Sequence, residues 1–348
     1  IRTLFLDGDT PTLLPDAENC LVLAHEHKDW LRSLASESFS FEDEAGETGT
    51  ARGYQLLQEK ISHNKSFGDL KNLLTLSSVE LDRNKYVSFT VNYGGAYFSL
   101  DQAAEIDGIR WAIDYMRKDG LLSEATWRRM LVCLGRACLV VSNTTGHFAQ
   151  FLKPKEQNVA RYRATLSRSV GEVFLSVCRS IKPIGTADWR KGNVAFNLEA
   201  NELLELFEKM SLSPGVIYCD PPYTADHYSR YYHVLETLVL NDTPDLSGAG
   251  LYRPDRHSSQ FSIKTKVKQA VSEMISRTAA CGADIVVSYP LSGLLETPKQ
   301  FVTDCLTTHY RTVEPIKEIS HSHSTMGASK GKERLPVVEL LFSASGAR

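Results

Sequence analysis

The residues best suited to chemistry come directly after a short apolar stretch, VIYC at 216–219, and they read Asp220-Pro221-Pro222-Tyr223. Each proline has a fixed φ angle and no backbone N–H, so a strand must stop there in a rigid turn. The turn leaves the Pro221 carbonyl free to accept a hydrogen bond beside the Asp220 carboxylate, and the Tyr223 ring follows. Two acceptors and an aromatic face suit an amino group on a flat heterocycle.

An exocyclic amino group held in this way is prepared for alkylation. Its two N–H groups would donate to Asp220 and to the Pro221 carbonyl, which draws the nitrogen toward a tetrahedral, nucleophilic state. The nitrogen could then attack an electrophilic methyl group held in line with it. Because an adenine inside a duplex cannot reach such a pocket, the target nucleotide would be flipped out and stacked on Tyr223.

The elements around the motif predict an α/β fold. Short apolar strands at NVAFNL, VIYC, DIVVS and PVVELLF alternate with two amphipathic helices, of which the second ends at Gly282. This alternation predicts a mostly parallel sheet covered on both faces, with Asp220 at a carboxyl end, where ligands bind. The first helix should turn four side chains inward: Leu203, Leu204, Phe207 and Met210.

Two further helices are predicted nearer the start of the chain. Ser99 and Gln102 have the spacing of a capping box, and four apolar side chains share the face of the helix that follows: Ile106, Ile109, Ile113 and Met116. A second, more buried helix covers SEATWRRMLVCLGRACLVV. Together they predict a helical layer that precedes a basic segment.

Charge is unevenly distributed along the 348 residues, although the net charge is only -3. Residues 151–191 contain nine Lys or Arg against three acids, and residues 252–277 contain six against two. Each segment is either a surface that faces a polyanion or an ordinary solvated helix face. The sequence leaves both interpretations open.

Composition limits the other possibilities. No apolar run reaches the roughly 20 residues of a membrane span, and the first residues have no signal-peptide pattern, so we expect a cytoplasmic protein. Seven scattered cysteines without a C-x-x-C pair predict buried reduced thiols. No metal site is expected, because HEH at 25–27 and HSH at 321–323 lack helical ligand spacing and a third partner. A cytosine-C5 methylase is excluded by the absence of a Pro-Cys pair. A serine hydrolase is not expected, because GASKG at 327–331 matches G-x-S-x-G but lies in a polar stretch, without the preceding apolar strand of a nucleophile elbow.

The motif and its flanking segments resemble the amino-group DNA methyltransferases, in particular the Dam-like adenine-N6 class. Besides CDPPY, the segments NYGGAYFSLDQAAEIDGIR, HYSRYYHVLETLV and YRPDRHSSQFSIKTKV occur in the order typical of that class, over roughly residues 90–342. The resemblance implies a Rossmann-like fold dependent on S-adenosylmethionine, with a helical and basic DNA-recognition insertion. It also implies methylation of adenine N6 at a specific sequence of double-stranded DNA, in a restriction-modification or phage-defence system.

Carried over to this chain, the resemblance assigns the catalytic motif to Asp220, Pro221, Pro222 and Tyr223, with Ser288 and Tyr289 near the rim of the target pocket. Tyr231, Tyr232 and Arg230 would hold the displaced strand, since aromatic and arginine planes stack on bases; the alternative is ordinary helix packing. Recognition of the target is expected between Leu121 and Lys191. The residues expected to bind DNA are Arg161, Arg163, Arg168, Arg230, Tyr231, Arg253, Arg256 and Lys264.

The cofactor site departs from the family pattern, because no F-x-G-x-G turn follows a first strand. IRTLFLDGD is similar to the second strand of the nucleotide-binding sheet, so Asp7 or Asp9 would bind the cofactor ribose, with Glu26 as a weaker candidate. Asp188 or Asn193 would contact the cofactor adenine. The first cofactor-binding strand is thus missing, and three explanations stay open: a segment before Ile1, which the absence of an initial methionine favours, a partner subunit, or a chain that binds DNA without catalysis.

The predicted organisation has three parts. Residues 1–35 would hold partial elements of the cofactor-binding sheet, residues 36–190 the helical insertion and target-recognition region, and residues 191–348 the catalytic core. The rival function is a noncatalytic DNA-binding or structural subunit of a restriction or defence complex. Under either function the chain could work with a second subunit or with a restriction nuclease. No association with a membrane is expected.

Overall fold

The computed structural model describes residues 13–34, 51, 55, 83–324 and 334–348. This part of the chain forms two compact units. We call the first, made of residues up to Ala195 together with Tyr232–Asp255, the helical unit, and the second, made of Phe196–Tyr231 with Arg256–Arg348, the sheet unit. The helical unit thus resumes at 232–255, and the predicted division at residues 35 and 190 stays a prediction.

Helices build the described part of the helical unit, with one short 3-10 turn at Arg83–Lys85. Residues 232–240, most of a helix that begins in the sheet unit, also belong here. The helices in chain order are α1 Leu14–Leu34, α2 Ser88–Tyr93, α3 Leu100–Lys118, α4 Glu124–Val141, α5 Val159–Leu166, α6 Val170–Ser180 and α7 Ala187–Arg190.

Helix α3 is the centre of this unit. The predicted capping box is present: Ser99 Oγ accepts from the Gln102 N–H at 3.1 Å, and the Ser99 N–H donates to Gln102 Oε1 at 3.1 Å. These bonds satisfy amide groups that the first turn of a helix leaves without partners. The predicted apolar face is fully buried, and α1, α2, α4 and α6 pack around it.

The sheet unit combines five strands with helices. Its helices are α8 Ala200–Lys209, the start of α9 Ser229–Leu240, a 3-10 turn Gln260–Ser262, α10 Val267–Ala280 and α11 Pro298–His309. Its strands are β1 Val216–Cys219, β2 Asp284–Pro290, β3 Tyr310–Val313, β4 Lys317–Ser324 and β5 Arg334–Ala347. Helix α10 ends where predicted, at Gly282, whose φ of 72° is readily adopted by glycine.

The sheet is mixed, which corrects the prediction of a mostly parallel sheet. Its order is β1-β2-β5-β3, and β4 pairs with β5. Only the pairing of β1 with β2 is parallel among these; β5 is antiparallel to β2, β3 and β4. The difference arises because β3 and β4, which are short or polar and were not predicted, bring the chain back so that β5 enters beside β2 in the opposite direction.

The two faces of this sheet have different environments. Ile285, Val287 and Tyr289 of β2 are buried in the core that α10 and α11 complete. On the opposite face Val216 and Tyr218 of β1 are 60% and 61% exposed. Among the described residues of the sheet unit, helices therefore cover one face of the sheet, whereas the sequence predicted helices on both faces.

Several smaller predictions need correction or lie outside the described residues. The NVAFNL segment is not a strand, and its Val194, Phe196 and Leu198 are exposed, because no described strand pairs with it. Met210 is exposed beyond the end of α8. Residues 14–34 form α1, so the described part of the first predicted segment contributes no sheet element, and Glu26 lies in a helix. Asp7, Asp9 and most of the acidic stretch 36–53 lie outside the described residues.

The cysteines and the helix lengths agree with the composition. All seven cysteines are unbonded; six are buried and Cys305 is half-buried. No helix in the described ranges is both long enough and apolar enough to cross a membrane.

Candidate active site

The predicted catalytic motif lies at the carboxyl end of β1. The strand stops at Cys219, and Pro221 is buried while Asp220 stays exposed to solvent. The turn is fixed to a neighbouring loop, because the Leu294 N–H donates to the Tyr223 carbonyl oxygen at 3.0 Å. The strand end thus presents the carboxylate outward on a backbone that is held in place.

Tyr289 positions the loop that holds the motif. The ring of Tyr289 is fully buried, and its hydroxyl accepts from the Leu295 N–H at 3.2 Å. A Cβ atom on Gly293 would come within 2.7 Å of the Tyr289 ring, so only glycine lets the loop lie this close. Contrary to the predicted place at the pocket rim, Tyr289 therefore lies under the loop and reaches Tyr223 only through it.

A second carboxylate, Glu339, belongs to the same strand ends. Register pairs Glu339 with Pro290, and Ser288 Oγ donates to Glu339 Oε1 at 2.6 Å. Partial burial, and then the charge of Glu339, raise the pKa of Asp220; the same two causes, with Asp220 itself, raise the pKa of Tyr223. Sequence reasoning missed Glu339, although an acid inside the apolar run PVVELLF is a signal.

A cavity of about 280 Å³ opens beside the motif within the sheet unit. Two segments that line it are joined by hydrogen bonds: Ser259 N–H donates to His227 Nδ1 at 3.1 Å, and Ser229 Oγ donates to the His257 carbonyl at 2.5 Å. This volume is slightly below the range of small-ligand sites, roughly 300–1,000 Å³. Its walls are both apolar and polar, and the described residues that form them are Leu198, Glu199, Ala200, Asp220, Pro221, Pro222, His227, Tyr228, Ser229, His257, Ser259, Phe261 and Met274.

The predicted DNA-binding residues of the sheet unit have different surroundings. Arg230 forms an ion pair with Asp226 at 2.8 Å. Tyr231 is buried, and burial together with Asp226 raises its pKa to about 12. This placement favours the packing alternative for Tyr231. Arg256 is exposed, and Lys264 is exposed with its amino group 3.6 Å from Glu296.

Arg253, in the helical unit, does not fit its predicted role in binding DNA, which for an arginine of this segment would be a contact with a phosphate. Its side chain is only 3% exposed, and its guanidinium donates to Asp242 at 2.5 and 2.8 Å and to Asp255 at 2.9 and 3.1 Å. It also donates to Thr237 at 3.1 Å. A phosphate would have to displace both carboxylates, so we correct the prediction: Arg253 is a structural arginine.

The remaining predicted residues lie in the helical unit and are reported by position. Arg161 and Arg163 are exposed on α5, and Arg168 is exposed just beyond it. Asp188 is exposed in the first turn of α7, and Asn193 is half-buried, with its N–H donating to the Arg190 carbonyl at 3.1 Å. Their predicted roles toward DNA and cofactor stay predictions.

Comparison with known proteins identifies one family and several relatives. Residues 188–287, which include the whole motif, match the family model described as D12 class N6 adenine-specific DNA methyltransferase. The modification methylase LlaI of Lactococcus lactis is 28% identical over 73% of this chain and 38% of its own length. The type II methyltransferase M.FokI of Planomicrobium okeanokoites is 28% identical over 70% of this chain and 36% of its own length.

A third relative is matched over more of its own length. The type II methyltransferase M.NlaIII of Neisseria lactamica is 26% identical over 71% of this chain and 68% of its own length. The matches to LlaI and M.FokI span well under half of those proteins. No solved structure gives a significant match to the chain.

Proposed function

We propose that the chain transfers a methyl group to N6 of adenine at a specific sequence of double-stranded DNA, because residues 188–287 match the family model described as D12 class N6 adenine-specific DNA methyltransferase. The observation that carries the proposal is the Asp220–Tyr223 turn at the carboxyl end of β1, beside a cavity of about 280 Å³. The target adenine would be flipped out of the duplex to reach it.

Each residue of the motif has a distinct task in this proposal. Asp220 and the Pro221 carbonyl accept the two amino N–H bonds, which moves the nitrogen lone pair out of conjugation. Tyr223 stacks on the base, and the loop bonded to its carbonyl keeps the ring in place. A bound methyl donor would supply the methyl group and keep the electrons of its broken carbon–sulfur bond. The amino group would then release one proton, for which the adjacent Asp220 carboxylate is an acceptor.

The methyl donor in this proposal is S-adenosylmethionine, which supplies an electrophilic methyl group when bound. The fit of the described residues to it is partial. The carboxyl end of β1 is the place where such ligands bind in α/β sheets. Among the glycines described in the sheet unit, however, none forms a glycine-rich turn beside Asp220. Asp7, Asp9, Asp188 and Asn193 therefore stay predictions, and no step is derived through them.

The biological setting follows from the names of the relatives. LlaI and StsI are named modification methylases, and M.FokI is a type II methyltransferase. We infer that this chain likewise protects DNA in a restriction-modification or defence system. A restriction nuclease is then the expected functional partner, and a partner subunit is an alternative source of cofactor contacts.

A noncatalytic DNA-binding subunit is the second candidate, favoured by the lack of a glycine-rich turn among the described residues. Transfer of labelled methyl from S-adenosylmethionine to unmethylated duplex DNA, with detection of N6-methyladenine, separates the two functions. Asp220→Ala should reduce transfer by about 10³-fold or more. Asp304→Ala removes an exposed carboxylate of α11 and should leave transfer unchanged.

Three results of this experiment have different meanings. Transfer that depends on Asp220 but not on Asp304 supports the methylase. DNA binding without transfer and without calorimetric binding of S-adenosylmethionine supports the noncatalytic subunit. Transfer that survives Asp220→Ala would disprove the assigned role of the motif.

A further inference from the structure

The helical unit contains a polar cavity of about 380 Å³. None of its lining residues has a role in the methyl transfer proposed above. Two predicted DNA-binding arginines, Arg161 and Arg168, line it together with a bend of the chain at 142–146. The described residues of its wall include no acidic side chain, so among them the two guanidinium groups give the wall a positive charge. The lining residues are Leu139, Val140, Ser142, Asn143, Thr144, Thr145, Gly146, Leu152, Asn158, Arg161, Tyr162, Ala164, Thr165 and Arg168.

The bend is fixed by its own hydrogen bonds. The buried Asn143 side chain donates to the carbonyls of Leu152 at 2.7 Å and Ala96 at 3.3 Å. Thr144 Oγ1 accepts from the Gly146 N–H at 3.2 Å, and Gly146 has a φ of 109°, which favours glycine. The wall of the cavity is thus built before any ligand arrives, which reduces the entropic cost of binding.

Donors on this wall are left for a ligand. Among the described residues, the Arg161 side chain forms no hydrogen bond or ion pair. The Arg168 side chain uses only Nη1, which donates to the Val140 carbonyl at 3.2 Å. Thr145 is exposed at the mouth. Residues 151–168 add three more cations against one acid, Glu156. An anion would find a concentrated positive field here.

We propose that this cavity binds a phosphodiester group of the DNA backbone together with the adjoining sugar. The inference rests on the proposed function, since it names a contact that the DNA substrate would make. Arginine matches the planar geometry of phosphate oxygens, and the Thr145 hydroxyl adds a donor. The apolar side chains of Leu139, Val140 and Leu152 suit the sugar. Such a contact orients the duplex without reading its sequence.

The test is a salt titration of binding between the chain and a duplex oligonucleotide, with matched arginine variants. Arg161→Ala should weaken binding by about tenfold and reduce the slope of log K against log salt by about one. Arg179→Ala removes an exposed arginine of α6 that does not line the cavity, and it should weaken binding by no more than about twofold. Arg161→Lys should recover part of the affinity.

A free nucleotide could supply the same phosphate, so a second arm measures binding of adenosine monophosphate to the wild type and to Arg161→Ala. Loss of nucleotide binding with unchanged DNA binding would overturn the proposal in favour of a nucleotide site. Equal DNA binding by Arg161→Ala and Arg179→Ala would also overturn it, while leaving the proposed function intact. A wild-type chain that binds no DNA would overturn both. Thermal unfolding checks that each variant is folded.

Discussion

The two units use their charged residues in opposite ways. In the helical unit, Asp107 is buried and accepts from the Phe89 N–H, the Thr90 N–H and the Thr90 hydroxyl, at 2.9, 2.8 and 2.7 Å. In the sheet unit, the Asp220 carboxylate is exposed, and its pKa is raised by partial burial and by Glu339. A carboxylate whose two oxygens both accept hydrogen bonds from the protein stabilises the fold. A carboxylate without such partners is available to a substrate.

Other charged side chains of the helical unit are likewise engaged in hydrogen bonds and ion pairs within the fold. Glu105 accepts from the Val170 and Gly171 N–H groups at 3.0 and 2.8 Å, which satisfies the first turn of α6. Arg110 pairs with Asp114 and donates to the Leu238 carbonyl at 2.9 Å. The segments EIDGIR and YRPDR helped to reveal the family resemblance, yet Glu105, Arg110 and Arg253 within them serve the fold.

The largest expected effect comes from removing the saturated carboxylate. Asp107→Ala leaves two backbone N–H groups and one hydroxyl buried without acceptors, so we expect a loss of about 3 kcal/mol in the free energy of unfolding. Urea unfolding followed by circular dichroism measures this loss. Asp119→Ala, at the exposed end of the same helix, is the control and should change stability by less than about 0.5 kcal/mol. Equal effects of the two substitutions would show that the hydrogen bonds of Asp107 do not stabilise the fold, which contradicts the difference drawn between Asp107 and Asp220.

Arg253 tests whether a charge within a family segment is structural. Arg253→Ala removes the partner of Asp242 and Asp255, and we expect a loss of about 1–3 kcal/mol in stability with no change in the salt dependence of DNA binding. Arg256 lies three residues later and is exposed. Arg256→Ala should therefore change the free energy of unfolding little and should reduce the slope of log K against log salt for DNA binding. A reduced salt slope for Arg253→Ala would restore the predicted phosphate contact.

The sequence predicted the position of the motif better than the sheet around it. The strand stops just before Asp220-Pro221-Pro222-Tyr223, as expected from four adjacent residues, because proline ends a strand. Residues 188–287 match the methyltransferase family model, while the roles of the four residues stay predictions. Helix α3 was equally predictable, since its capping box and apolar face are local patterns.

What failed depended on partners distant in the chain. The direction of β5 depends on β3 and β4, which have no strong apolar pattern, and NVAFNL has a strand composition but no described strand beside it. Glu339 joined the site only through its register with Pro290, 49 positions away. The burial of Arg253 required Asp242, which no short motif includes. Pairing between distant segments is set by tertiary packing, which single-sequence patterns do not contain.

A substitution at Gly293 tests how precisely the sheet unit positions Tyr223 of the motif. Gly293→Ala would place a methyl group against the Tyr289 ring, shift the loop and disturb the hydrogen bond to the Tyr223 carbonyl. We expect kcat to fall by about tenfold, since small displacements of reacting groups have large effects on rate. Gly215→Ala is a matched control just before β1, because a Cβ atom there meets nothing within 4 Å. An equal kcat for Gly293→Ala and Gly215→Ala would show that the loop does not position the motif.

The smallest effect concerns the charge that Glu339 places near Asp220. Because Glu339 raises the pKa of Asp220, Glu339→Gln should lower that pKa. In the proposed mechanism methyl transfer needs the ionised Asp220 as an acceptor and is lost as pH falls through its pKa, so the acidic limb of the kcat/KM profile should move to lower pH. Glu314→Gln removes an exposed charge outside the site and should leave the limb in place. A limb that stays fixed in Glu339→Gln, or that moves equally in both variants, would mean that Asp220 is not the group that titrates, and the contrast between saturated and available carboxylates would then rest on geometry alone.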